Sequence, residues 1–210
     1  LGNPAWINVG TQTIDGLIFG ATTGFGYNLT NRAASTLTIG ANGIVLNAGA
    51  QATNVGSSNL SLTLGAAQSW TNNSTSTLNI GGAINNGGFG LTLANTSTGS
   101  QFLGGIISGA GGLTIDGGAV TLAGTNTFTG NVVVNSGRLI LGNTAALGAA
   151  SGRTTIATGA VLDLNGFNTA AAEPITFSGS GIGGTGAIVN NGTGRVTISG
   201  PMTLGADATI

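Results

Sequence analysis

The chain has 210 residues, 41 of them Gly, and only 4% are charged: 4 Lys+Arg, all Arg, stand against 5 Asp+Glu, with no His and no Cys. So sparse a charge excludes a basic surface for nucleic acid or anionic lipid. The missing Cys excludes disulfides and thiolate metal sites, and no apolar run of ~18 residues marks a membrane-spanning segment.

In chain order, Leu1–Gly20 shows neither the basic start nor the apolar stretch of a secretory leader. Short alternating segments follow at Leu37-Thr38-Ile39, Ile44-Val45-Leu46, Leu60-Ser61-Leu62-Thr63-Leu64 and Leu78-Asn79-Ile80. Gly82-Ala83-Ile84 and Gly104-Gly105-Ile106 are separated by 22 residues. From there a period of about 21 residues holds. Leu91-Thr92-Leu93, Leu113-Thr114-Ile115, Val132-Val133-Val134, Thr154-Thr155-Ile156, Ile175-Thr176-Phe177 and Val196-Thr197-Ile198 recur at steps of 22, 19, 22, 21 and 21. A second series runs Val120-Thr121-Leu122, Leu139-Ile140-Leu141, Leu162-Asp163-Leu164, the weak Gly181-Ile182-Gly183, and Met202-Thr203-Leu204. A third runs Phe128, Leu147, Phe167, Ile188.

Period-two alternation with Thr and Val, broken by Gly and Asn-Gly, excludes helix. Three strand signals kept in step predict stacked coils, an all-β, parallel β-solenoid. The expected handedness is right-handed, as for other parallel crossovers. At about 21 residues per coil there are roughly ten coils and a rod of about 48 Å. Residues 1–210 read as one solenoid, with 1–80 in looser or longer coils and 81–210 in regular ones. Leu113, Ile115, Val120, Leu122, Val132, Val134, Leu139 and Leu141 are expected inward, and Thr114, Thr121 and Val133 outward. Asn72-Asn73, Asn85-Asn86 and Asn190-Asn191 are expected at corners, with their amides in ladders. Neither end resembles a polar cap, so the chain reads as a segment of a longer protein.

The stretch Gly118-Ala119-Val120-Thr121-Leu122-Ala123-Gly124-Thr125-Asn126-Thr127-Phe128-Thr129-Gly130, continuing Val132-Val133-Val134-Asn135-Ser136-Gly137-Arg138-Leu139-Ile140-Leu141-Gly142-Asn143 to Ala146-Leu147-Gly148, closely resembles the autotransporter-associated β-strand repeat. The match covers about residues 104–170 and extends more softly over the chain. The resemblance implies a right-handed β-helical segment of a large exported protein of the bacterial surface. It supplies shape and no catalytic residues.

The chemistry-bearing inventory is small. Asp15, Asp116, Asp163, Glu173 and Asp207 are the acids. Without His, Lys or Cys there is no Ser-His dyad, Schiff base or thiolate. Glycoside hydrolysis needs two carboxylates ~5–9.5 Å apart, and the coil assignments separate these. The expectation is therefore no enzyme and no cofactor. Gly181-Ile182-Gly183-Gly184-Thr185-Gly186 has no following helix to bind a phosphate and reads as corner glycine. Gly87-Gly88-Phe89-Gly90 lacks the Asp of a calcium nonapeptide repeat. Trp6, Tyr27 and Trp70 are sugar-stacking candidates if exposed, although packing in the core is the more common role. The Thr36/Thr38, Thr75/Thr77, Thr96/Thr98 and Thr125/Thr127 pairs keep phase for one step only, too short for an ordered-water array. Arg153, Glu173 and Arg195 precede equivalent strands and predict a solvated charge ladder.

These readings converge on a structural rod or fibre segment, extracellular and bacterial, whose partner is a further copy or flanking repeat of itself. The alternative is an adhesin-type passenger that binds glycans or cell surfaces through a side face. No nucleic acid and no membrane insertion of this segment are expected.

Overall fold

A computed structural model describes residues 11–170 and 172–210; Trp6 lies outside them. Parallel strands stack coil upon coil into a β-solenoid of about eight turns, with no α-helix among the described residues. Each turn contributes to three sheets, which meet at corners. In the first, Leu37, Leu62, Ile84 and Ile107 lie in register. In the second, the column is Leu17, Ile44, Trp70, Leu93, Ile115, Val134, Ile156, Phe177 and Leu204. In the third it is Val55, Ile80, Leu103, Leu122 and Leu141.

The alternating pattern decides which residues line the interior. Leu91–Asn95 alternates buried and half-buried, and so does Leu60–Leu64. All eight residues expected inward are buried, while Thr114, Thr121 and Val133 are half-exposed on the outer surface. Fully burying a Leu or Ile side chain contributes ~1.5–3 kcal/mol, and every coil adds several. The second sheet presents Ser69, Thr92, Thr114, Val133, Thr155, Thr176 and Thr203 outward in one column. The middle residue of each triplet, most often Thr, thus covers the sheet on its solvent side.

Corners are made by glycine where coils approach closely. Strand Ser35–Leu46 turns from the first sheet to the second and pairs with both Leu60–Leu64 and Gln68–Asn72. At the bend Gly43 has φ 61°, and a Cβ there would lie 2.0 Å from the carbonyl oxygen of Ser69 one coil on. No other residue fits.

Buried amides secure other corners. Asn72 donates to the carbonyls of Ser76 and Ser100, both at 2.9 Å. Asn86 pairs with both the N–H and the carbonyl of Gly111 in the next coil. Asn126 accepts from the Ile107 N–H below and donates to the Ala146 carbonyl above. The expected ladders therefore run from amide to backbone rather than from amide to amide, which satisfies peptide groups that a corner would otherwise leave buried and unpaired.

Coil length departs from the uniform period. Steps along the second-sheet column are 27, 26, 23, 22, 19, 22, 21 and 27 residues. This replaces the expected ten coils of 21 by about eight turns, or a rise of ~38 Å at the strand spacing. The long last step also changes the register. Ile175-Thr176-Phe177 pairs with Met202-Thr203-Leu204, not with Val196-Thr197-Ile198. The latter lies over Asn168 and Thr169 at the first-sheet position. Likewise Leu162 pairs with Ile188. Gly181-Ile182-Gly183, expected as a weak strand, falls at a turn of 3-10 helix over Ile182–Gly184, with Ile182 exposed. Gly183 and Gly184 both have positive φ, so this excursion lengthens the coil without adding a strand.

Candidate functional site

The few charged groups occupy three kinds of environment. Asp15 sits at an exposed corner and accepts a hydrogen bond of 2.6 Å from Asn42. Asp163 is buried at the edge of the third sheet and fully engaged. Its Oδ1 accepts the N–H groups of Asn165 and Asn191 at 3.0 and 3.1 Å. Its Oδ2 accepts Asn191 Nδ2 at 2.8 Å and faces Arg138 at 3.4 Å. This carboxylate caps a corner through two turns of backbone, and Asn165 beside it has φ 47°.

Glu173 is the third case. It is 2% exposed and accepts one hydrogen bond, from Thr154 Oγ1 at 2.6 Å. Its Oε2 has no hydrogen-bond partner. Burial pushes its carboxyl from 4.5 up to about 7, against the lowering effect of the Thr154 hydrogen bond. A carboxylate favours water over an apolar interior unless it is paired.

The expected Arg153–Glu173–Arg195 ladder does not form. Arg153 and Arg195 are exposed, and neither makes an ion pair with Glu173. Strand parity explains it: Glu173, Ile175 and Phe177 alternate into the core, while Arg153 lies on the outward parity beside Thr155. The longer last coil then carries Arg195 away from the second sheet altogether.

The aromatic candidates divide. Trp70 is completely buried in the second-sheet column, and its indole N–H donates 2.8 Å to Gln68 Oε1. It is a core residue and offers no face to a sugar. Tyr27 is half-buried and packs on Phe19 with ring centroids 5.1 Å apart. Among the described residues the exposed aromatics are others: Phe25, Phe89 and Phe102, at 63%, 42% and 41%. Phe102 holds the outward middle place of the third sheet, in register with Asn79 and Thr121. The parity that buries Gln101 and Leu103 exposes Phe102, and that signal was present in the sequence. No group of three or more His, Cys, Asp or Glu positioned for a metal ion occurs among the described residues.

Two concavities stand out among the described residues. One, of about 480 Å³, lies along the second sheet between Val45, Ser69, Thr71 and Thr92. The other, about 690 Å³, opens at the Met202–Ala208 end, between Leu164, Ile188, Val196, Ile198, Met202 and Ile210. Leu204 and Ile210 there are 62% and 69% exposed.

Fold and surface define a three-sided β-solenoid whose outer faces are hydroxyl- and amide-rich and nearly uncharged. Over 69 residues the chain is 42% identical to the adhesin BmaC autotransporter of Brucella suis biovar 1 (strain 1330). The similar stretch is 32% of this chain and 2% of that protein. No family model and no solved structure matches.

Proposed function

We propose that the chain is a length-giving rod segment of a bacterial surface passenger, exposed to the extracellular medium, with no catalytic role of its own. The observation that carries this reading is the unbroken second-sheet column from Leu17 to Leu204. A continuous backbone ladder resists bending, because bending must stretch ladder hydrogen bonds on the convex side. The similarity to an autotransporter adhesin supports the surface assignment. Met202–Ala208 ladders with Ile175–Gly179 on one side, and its Met202 and Leu204 side chains are exposed. Such a strand accepts a further coil by ladder bonds and stacked core residues, supplied by flanking repeats or by a second copy.

The test is to image the purified chain by electron microscopy and to follow its mass by sedimentation between low and high salt. Straight rods lengthening in steps, with association insensitive to salt, support the reading. Compact monomers at all concentrations, with the Met202–Ala208 amides protected from exchange, overturn the stacking.

The exposed Phe102 and Phe89 favour a second reading, a passenger that also binds glycans or cell surfaces through its sides. Loss of cell binding in Phe102→Ala with unchanged melting supports it.

A further inference from the structure

Glu173 and Asp163 are both buried carboxylates, but their surroundings differ in kind. Asp163 has four donors; Glu173 has Thr154 alone. Glu173 also lies where three coils meet. Thr154 N–H binds the carbonyl of Pro174, the next residue, and Ile175 N–H binds the carbonyl of Pro201 in the coil above. Gly200 packs so closely that a Cβ would lie 1.9 Å from the Glu173 carbonyl oxygen. The backbones of the two coils are thus in close contact at Glu173, and its Oε2 is shut away from solvent with no partner.

We propose that Glu173 is a proton-operated latch: protonated, it lets the coils bearing Thr154, Ile175 and Pro201 close on one another, and ionised, it loosens them. The Thr154–Ile156 and Ile175–Gly179 strands and the turn at residues 199–201 carry no charged side chain. The flanking Arg153 and Arg195 are exposed and make no ion pair with it. No cation compensates the anion.

The sign follows from linkage. The folded carboxyl is raised from 4.5 to about 7. Its contribution to stability is full below the unfolded value and is lost as pH rises through the folded one. The chain has no His and no Cys, the side chains whose ordinary titration lies nearest neutrality. Burial thus brings the Glu173 carboxyl into the window between pH 5 and 8.

The test is amide hydrogen exchange on the full chain at pH 5 to 8, corrected for the intrinsic pH dependence of exchange. In the unmodified protein, protection at Thr154–Ile156 and Ile175–Gly179 should fall on the order of 10²-fold across that range. Glu173→Gln keeps the shape of the neutral acid and should abolish the fall, exceeding the parent in protection at pH 8. Thr154→Val removes the hydrogen bond that favours the anion and should move the midpoint to higher pH. Flat protection in the parent, an unchanged slope in Glu173→Gln, or an unmoved midpoint in Thr154→Val each overturn the latch.

Discussion

The guanidinium of Arg138 lies 3.4 Å from Oδ2 of Asp163 one coil above, yet the carboxylate is 4% exposed and the guanidinium 32%. The two partners are therefore unequal. Arg138 retains water, and its attraction is screened, so Arg138→Ala should cost only ~0–1 kcal/mol. Asp163→Ala removes the acceptor of two backbone N–H groups and one amide. It should cost ~2–4 kcal/mol, because each orphaned buried donor costs ~1–3 kcal/mol. Urea unfolding of both variants checks this, and equal losses would contradict the corner-cap role.

Leu139→Asp places a charge within a column in which Val120, Leu139 and Leu162 are all fully buried. A loss of more than ~4 kcal/mol is expected. Thr121→Asp, on the outward parity of the adjacent strand, should stay within ~1 kcal/mol. Comparable melting losses for the two would refute the facing.

Gly43 and Gly159 both have positive φ, at 61° and 83°. A Cβ at Gly43 meets the Ser69 carbonyl oxygen at 2.0 Å, whereas nothing lies within 4 Å at Gly159. Gly159→Ala should therefore cost the strained backbone alone, ~1–2 kcal/mol. Gly43→Ala must also push two coils apart and should prevent folding or lower the melting temperature far more. Circular dichroism melts separate the cases.

Trp70 is shielded on every side and hydrogen-bonded to Gln68. In a Trp6→Phe background its emission should be blue-shifted and resist acrylamide quenching, and oligosaccharides should leave it unchanged. Emission near that of free indole would place the ring in solvent. Trp70→Ala should cost ~3–5 kcal/mol by leaving a cavity in the column.

The sequence by itself determined the strand words and their facing. Leu113-Thr114-Ile115 or Leu139-Ile140-Leu141 can bury only one parity, because a pleated strand sends alternate side chains to opposite faces. The locked spacing of such words also determined the parallel stack, since each must lie above its equivalent. Tertiary structure alone decided which words are equivalents. The excursion at Ile182–Gly184 lengthens a coil without altering any strand, so Val196-Thr197-Ile198 and Met202-Thr203-Leu204 are equally good matches to Ile175-Thr176-Phe177 as text. Ladder bonds chose the second. That choice separated Arg195 from Glu173. The fate of polar residues near strand ends was decided in the same way. Glu173 and Asp163 are buried because neighbouring coils close over them, and a period read along one chain carries no record of what the next coil covers.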